Sequence, residues 1–260
     1  MEPTVVSLKN ASLGYAGKPP KVLAEALHFE WKKGVCCGII GQNGAGKSTL
    51  LRSITGLQPL LSGELFWGQQ ALHELSPDAR AMKMSLVLTE KIPPSLLSVF
   101  ELVALGRYPH TDWIGQLTDF DHEKVQEALI QTEILHLSER LFDTLSDGQK
   151  QQVLIARSLA QDTPVIVLDE PTTHLDLPHK LLVLKLLQKI AKEHQKTVIF
   201  STHDVEWALD YCDELVVITP EKWQHDSTEN CIKNNLLNGL FTDANIAFDK
   251  ETRRFVIEVI

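Results

Sequence analysis

A glycine-rich loop between two apolar segments constrains the fold of this chain more than any other feature. The stretch from Gly41 to Thr49 reads GQNGAGKST, with the spacing G-x-x-x-x-G-K-S. It follows the apolar run VCCGII and precedes KSTLLRSITG, in which Leu50, Leu51 and Ile54 have helical spacing. A strand, a glycine loop and a helix in this order are typical of a phosphate-binding loop, or P-loop. The chain is therefore predicted to bind a nucleotide.

The residue types of the loop divide the work of holding a triphosphate. Glycines let the backbone turn so that successive N–H groups face phosphate oxygens, and the following helix adds the positive end of its dipole. Lys47 is expected to span the β- and γ-phosphates, and Ser48 to hold Mg²⁺ through its hydroxyl. The predicted nucleotide-binding residues of the loop are Gly41, Asn43, Gly44, Gly46, Lys47, Ser48 and Thr49.

A second apolar strand, in the stretch VIVLDEP, ends in two acids. Carboxylates at the C-terminal end of a parallel strand lie where open α/β sheets bind ligands. Asp169 is expected to support Mg²⁺, and Glu170 to polarise or orient the attacking water. With Lys47, these acids predict hydrolysis of a nucleoside triphosphate, here ATP with Mg²⁺.

Composition narrows the partners and the compartment. The chain has 260 residues and a net charge of −9, so it offers no basic face for nucleic acid. No apolar run is long enough to span a membrane, and the first residues lack the layout of a secretory signal. The four cysteines show no C-x-x-C spacing and are read as reduced, buried thiols of a cytosolic protein.

The order of periodic segments predicts an α/β fold. Strand-like stretches alternate with helices before about residue 90 and again from 160 to 220, whereas helical spacing dominates between Ser98 and Gln161. We therefore expect one domain over residues 1–260, with a P-loop NTPase core (about 1–90 and 160–220), an antiparallel β subdomain and an inserted α-helical subdomain (about 90–160). A C-terminal extension (about 221–260) is predicted to end in a hairpin that turns at Lys250 and Glu251.

The stretch LSDGQKQQVLIARSLA, directly before the acidic strand, resembles the signature of ATP-binding subunits of ABC transporters. Ser146 and Gln149 form a capping-box pattern, and a helix N-terminus favours anions. The resemblance implies that Ser146, Gly148 and Gln149 contact ATP held by a second copy of the chain in a head-to-tail dimer. Asp147 departs from the glycine common in the family, and its carboxylate is expected to point away from the phosphates because like charges repel.

Three further residues match positions of the same family. In STHDVEWALDYCD, His203 matches the switch histidine that contacts the γ-phosphate. Asp176 in TTHLD matches the loop that crosses the dimer seam, and Tyr15 in LGYAG matches the aromatic residue that stacks on adenine. Structural roles in the core stay open as alternatives for His203 and Tyr15.

A second departure lies near the start of the helical segment. The family usually carries a glutamine there that touches the metal and the membrane partner, whereas this chain has Thr89, followed by Glu90. The Thr89 hydroxyl could serve as a metal ligand. Glu90 could reach the metal instead, or it could be a solvated charge.

The stretch VFELVALGRYPH resembles the subfamily of importers for iron-siderophore complexes, haem and cobalamin. An amphipathic helix that ends at Gly106, with Arg107 as a surface charge, is the alternative. The resemblance implies two separate transmembrane permease subunits, an indirect link to a substrate-binding protein, and a peripheral position on the cytoplasmic face of the inner (plasma) membrane. A non-transport ABC ATPase, another cargo and a metabolite kinase are the competing hypotheses.

Overall fold

A six-stranded sheet positions the predicted functional residues. The structure, a computed structural model, describes residues 3–88, 93–241 and 246–257. With strands numbered along the chain, the sheet order is β10 (Trp223–Ser227), β9 (Glu214–Ile218), β3 (Cys36–Gly41), β8 (Thr197–Thr202), β7 (Val165–Leu168) and β6 (Met84–Val87). The β10–β9 pair is antiparallel and the other neighbours are parallel. The predicted α/β class is confirmed.

Helices cover both faces of this sheet, which is why β3, β7 and β8 are apolar and buried throughout. On one face, α1 (Lys47–Ile54) packs its leucines into the same core as Cys37. On the other face, Cys36 shares a core with α5 (Asp147–Ala160), α6 (Leu177–Glu193) and α7 (Val205–Tyr211). The adjacent cysteines therefore point to opposite faces, and all four cysteines are free and buried.

A second, antiparallel sheet closes the α1 side of the molecule. Its order is β2 (Lys21–Lys32), β1 (Thr4–Tyr15), β4 (Ser62–Trp67) and β5 (Gln70–Ala71), and α2 (Pro77–Ala81) follows it. Trp31 and Trp67 of this sheet share a core with Leu50 of α1. The glycine loop thus lies at the edge where the two sheets meet.

Helical structure dominates the segment between β6 and β7, as its periodicity predicts. It contains α3 (Val99–Ala104), a 3₁₀ helix (Leu105–His110), α4 (Asp119–Gln131) and α5, with shorter 3₁₀ turns at Leu135–Leu137 and Phe142–Thr144. None of the helices in the described ranges is both long and apolar enough to cross a bilayer.

The chain beyond Pro220 is more ordered than its sequence signals indicate. β10 joins the large sheet as an edge strand, although its sequence, WQHDS, is polar. It is followed by α8 (Thr228–Lys233) and a 3₁₀ helix (Leu236–Gly239). The predicted terminal hairpin is present as β11 (Ile246–Asp249) and β12 (Arg254–Ile257), with a turn over residues 250–253 that is two residues longer than expected.

Arg107 lies in the interior. The alternative interpretation of its segment, in which Arg107 is a surface charge, is therefore wrong on this point. It is 2% exposed, and its Nε donates to the Asp121 carboxylate at 2.8 Å. Its Nη1 donates to the carbonyl of Ala160, at 2.7 Å. Burial alone would raise the pKa of Asp121, but hydrogen bonds from Thr118 and the neighbouring Arg107 lower it to about 2. This pair joins the 3₁₀ helix to α4 and α5.

We expect Asp121→Ala to lower the free energy of unfolding by about 3 kcal/mol, because it leaves the Arg107 charge buried without its counterion. Urea denaturation measures the loss. Asp119→Ala, an exposed acid in the same helical turn, is the matched control and should cost less than about 0.5 kcal/mol. Because the pKa of Asp121 is depressed in the folded state, the wild-type contribution should be present above pH of about 4 and lost as the pH falls towards 2. Equal losses in the two variants would contradict this role.

Candidate active site

The glycine loop has the backbone that a phosphate cradle requires. β3 ends at Gly41, and α1 begins at Lys47. Gly44 and the N-cap residue Gly46 have φ values of 78° and 111°, which favour glycine. No side chain caps the N-terminus of α1. Its first N–H groups, which no helix can satisfy internally, therefore remain available for an anion.

The Lys47 ammonium is held inside this loop. Its Nζ donates to the carbonyls of Gly41, at 2.9 Å, and Gln42, at 3.3 Å. Glu170 Oε1 lies 4.0 Å away. Burial lowers the pKa of Lys47, and the nearby charges of Glu170 and Asp169 oppose that shift. The cation is thus fixed at the loop that is predicted to bind phosphate.

Asp169 directly follows β7 and faces two hydroxyl groups. Ser48 Oγ, in the first turn of α1, donates to Asp169 Oδ1 at 3.2 Å. Ser201 Oγ, at the end of β8, donates to the same oxygen at 2.6 Å. The Ser48 hydroxyl and the Asp169 carboxylate are hard oxygen donors, the kind that Mg²⁺ prefers. They lie close enough together to bind the same ion. The described residues include no cluster of three or more His, Cys, Asp or Glu side chains suited to a metal, so a bound Mg²⁺ would need phosphate and water oxygens to complete its ligands.

Glu170 has a rare backbone conformation, and its carboxylate is held by a neighbouring side chain. Its φ is 46°, unusual for a residue other than glycine. Its N–H donates to Ser201 Oγ at 2.9 Å, and its Oε2 accepts from Thr173 Oγ1 at 2.9 Å. His203 Nδ1 lies 3.7 Å from Oε2. The structure therefore brings together Lys47, Glu170 and His203, the three residues predicted as catalytic.

His203 follows the end of β8, the strand that also supplies Ser201. Its Nε2 lies 3.8 Å from Asp204 Oδ1. Asp204 itself is paired with Lys180 of α6, at 2.8 Å. The imidazole is 43% exposed, so His203 lies at the solvent-facing edge of the site and is not a buried core histidine.

A pocket of about 210 Å³ lies over the loop. Tyr15 lines it and also forms a hydrogen bond with Thr49 Oγ1, at 3.0 Å. Tyr15 is 49% exposed, so its ring is accessible for stacking on a nucleobase. The pocket is lined by Tyr15, Lys21, Leu23, Asn43, Gly44, Gly46, Lys47, Ser48, Thr49 and Glu170.

The remaining predicted nucleotide-binding residues lie elsewhere on the chain. Ser146 caps α5 and forms the expected capping box with Gln149, whose N–H and Oε1 lie 3.4 and 3.1 Å from their Ser146 partners. The His179 ring packs against Gly148 so closely that a Cβ there would come 2.2 Å from Cδ2. Asp176 caps α6 and pairs with the same ring. The His179 ring therefore connects the start of α5 with the start of α6. Among the described residues, none of 145–149 lines the loop pocket.

Two predicted metal contacts cannot be placed in this site. Thr89 and its alternative, Glu90, lie outside the described residues. The preceding strand, β6, is adjacent to the acidic strand, since the Asp169 N–H donates to the carbonyl of Val87 at 2.9 Å. The metal role of Thr89 remains a prediction from the sequence.

A family model described as ABC transporter matches residues 24–173, more than half of the chain. The match includes the glycine loop, the helical segment, the capped helix α5 and the acidic strand. The chain belongs to the ABC transporter family. The predicted family and the class of enzyme, an ATPase, are confirmed.

Curated relatives and a solved structure agree with this assignment. The achromobactin transport ATP-binding protein of Dickeya dadantii is 40% identical over 83% of this chain and 79% of its own length. The iron(3+)-hydroxamate import ATP-binding protein of Bacillus subtilis is 34% identical over 95% of this chain and 93% of its own. An inward-facing transporter, described as of the metal-chelate type, superposes with a TM-score of 0.81 at 28% identity, covering 97% of this chain and 95% of that one.

Ser201 contacts both acids of this ABC ATPase, and the sequence analysis did not single it out. Its hydroxyl donates to Asp169 and accepts from the Glu170 N–H, so a single side chain orients both acids. The signal in the sequence is a serine placed directly after the apolar run VIF, at the C-terminal end of a buried strand. Thr173, which donates to the Glu170 carboxylate, was also missed.

We expect Ser201→Ala to lower the kcat for ATP hydrolysis about 10- to 100-fold, as loss of a hydrogen bond behind a metal-facing carboxylate commonly does. Steady-state phosphate release measures the effect. Ser85→Ala is the matched control, because Ser85 is similarly buried in β6, on the other side of β7 from Ser201, and its hydroxyl contacts Thr163 and not the acids. A kcat within about twofold of wild type for Ser201→Ala would refute the orienting role.

Proposed function

We propose that this chain is the ATP-hydrolysing subunit of an importer that takes up an iron complex, such as a siderophore or haem, or cobalamin. The meeting of Lys47, Glu170 and His203 at the rim of one phosphate loop carries the proposal. A phosphate loop alone would bind a nucleotide. The additional acid and imidazole provide for hydrolysis.

The proposed roles follow from these positions. The N–H groups of the loop and the Lys47 ammonium would bind the triphosphate, and Ser48 and Asp169 would hold Mg²⁺, which neutralises charge on the phosphates. Glu170 orients the attacking water and accepts its proton, because its carboxylate is fixed by Thr173 and faces the loop. His203, which lies beside the Glu170 carboxylate, would contact the γ-phosphate. Tyr15, which lines the same pocket, would stack on the adenine.

A second copy of the chain completes each site in this proposal. The loop pocket, at about 210 Å³, is smaller than typical ligand sites of roughly 300–1,000 Å³. At the helix tip, the capping box occupies the N–H groups of Ser146 and Gln149, so those of Asp147 and Gly148 would be the donors to an anion. This tip does not line the loop pocket. A head-to-tail dimer would place that tip, with Gly148, Gln149 and the adjacent Asp176, over the partner's nucleotide. Each ATP would then lie between two chains.

Membrane partners would receive the movement of this dimer. The start of the inserted segment, including α3 and the 3₁₀ helix over Leu105–His110, is the proposed contact with two transmembrane permease subunits. An external substrate-binding protein would supply these subunits with cargo. The cargo class is supported by relatives named for achromobactin transport and iron(3+)-hydroxamate import. The chain itself would lie on the cytoplasmic face of the membrane, as a peripheral subunit.

We expect Glu170→Gln to abolish turnover while ATP stays bound and the dimer stays closed, because the amide keeps the shape of the side chain but cannot accept the proton. Size-exclusion chromatography with MgATP should show a dimer for Glu170→Gln and not for Lys47→Ala, which loses the phosphate contact. Near-normal hydrolysis by Glu170→Gln would reject its role. A monomer that retains ATP would reject the shared site.

Growth of a deletion strain tests the cargo. Without this gene, uptake should fail for one of three sources supplied alone: ferric siderophores, haem or cobalamin. Wild-type gene should restore growth and the Glu170→Gln gene should not. Normal growth of the deletion strain on all three sources would remove the cargo class, and leave either another cargo or an ABC ATPase that does not serve transport.

A further inference from the structure

The C-terminal part of the chain contacts the phosphate loop from outside the pocket. We use the term strap for residues 219–240, which comprise the turn after β9, β10, α8 and the following 3₁₀ helix. The strap lies beyond the segment that the family model matches. No role in nucleotide binding was predicted for it from the sequence.

Trp223, the first residue of β10, covers the last glycine of the loop. A Cβ at Gly46 would come 2.7 Å from Cζ2 and 2.8 Å from Cη2 of the indole ring. Leu23 of β2 lies on the same side, 3.4 Å from that position. Gly46 is therefore enclosed by one side chain from each sheet. Gly46 is the N-cap of α1 and has a left-handed backbone conformation. The Trp223 indole ring packs directly against this residue.

The strap also holds the other end of the loop. The Gln42 side chain points out of the pocket, and its Nε2 donates to the carbonyl of Leu240 at 2.8 Å. Position 41 is equally confined, since a Cβ there would come 2.9 Å from the carbonyl of Ile218, the residue paired with Trp223. The strap thus contacts the loop at Gln42 and Gly46, and the last residue of β9 confines Gly41.

We propose that the strap pre-organises the phosphate loop, with Trp223 as a positioning residue for ATP. This inference rests on the proposed function, because it assigns the strap to the same nucleotide site. A loop that already has its bound conformation loses less conformational entropy when ATP binds. Trp223 is not among the described residues that line the loop pocket, so its effect should fall on ATP affinity and not on the chemical step.

The test compares kcat and KM for ATP hydrolysis by the purified full-length protein. Trp223→Ala should raise KM about tenfold, equivalent to about 1.4 kcal/mol, and keep kcat within about twofold. Trp223→Phe, which retains an aromatic ring over Gly46, should restore most of the affinity. Trp113→Ala is the matched control, since Trp113 is 94% exposed in the helical segment, and it should leave both constants unchanged.

Gln42→Leu provides an independent variant in case Trp223→Ala does not fold. It keeps the size of the side chain, loses the bond to Leu240, and should raise KM about fivefold. A KM within about twofold of wild type for both Trp223→Ala and Gln42→Leu overturns the proposal, as does a fall in kcat at unchanged KM. Wild-type protein that neither binds nor hydrolyses ATP would instead reject the proposed function, so the two failures are distinguishable.

Discussion

The position of one buried ammonium group governs the rest of the site. Lys47 Nζ is held by the carbonyls of its own loop and lies 4.0 Å from the Glu170 carboxylate. A cation this close to the dipole end of α1 is stable only where negative charge is present, and the acids after β7 provide it. A bound triphosphate would add further negative charge beside Lys47. The same geometry would direct the Lys47 ammonium at a bound phosphate and set Glu170 beside that phosphate.

The parallel sheet explains how residues far apart in sequence come to this point. β3, β7 and β8 are neighbours, and all three present their C-terminal ends at one edge. The loop follows β3, Asp169 and Glu170 follow β7, and Ser201 and His203 lie at the end of β8. These strands are buried on both faces, and side chains of the three segments that follow or end them lie 2.6 to 4.0 Å apart.

Much of this site could be predicted from the sequence because its information is local. The glycine spacing, two acids after an apolar strand, and Ser146 three residues before Gln149 each specify a structure within a few residues. The contacts of Ser201 with the two acids and of Trp223 with Gly46 depend on which strands become neighbours, and local patterns in the sequence do not specify that. β10 in particular is a polar edge strand without period-2 alternation. For the same reason, the sequence does not decide whether Arg107 is buried or exposed, since its partner Asp121 lies on another helix.

The central claim is that two chains enclose each ATP, one with the glycine loop and the other with the capped tip of α5. The most direct measurement is a structure of the Glu170→Gln protein with MgATP. The account predicts a head-to-tail pair in which Ser146 and the N–H of Gly148 of one chain lie within hydrogen-bond distance of the γ-phosphate bound to the Lys47 loop of the other. A nucleotide-loaded structure in which residues 145–149 lie far from any neighbour's triphosphate, with a monomer in solution, would contradict it.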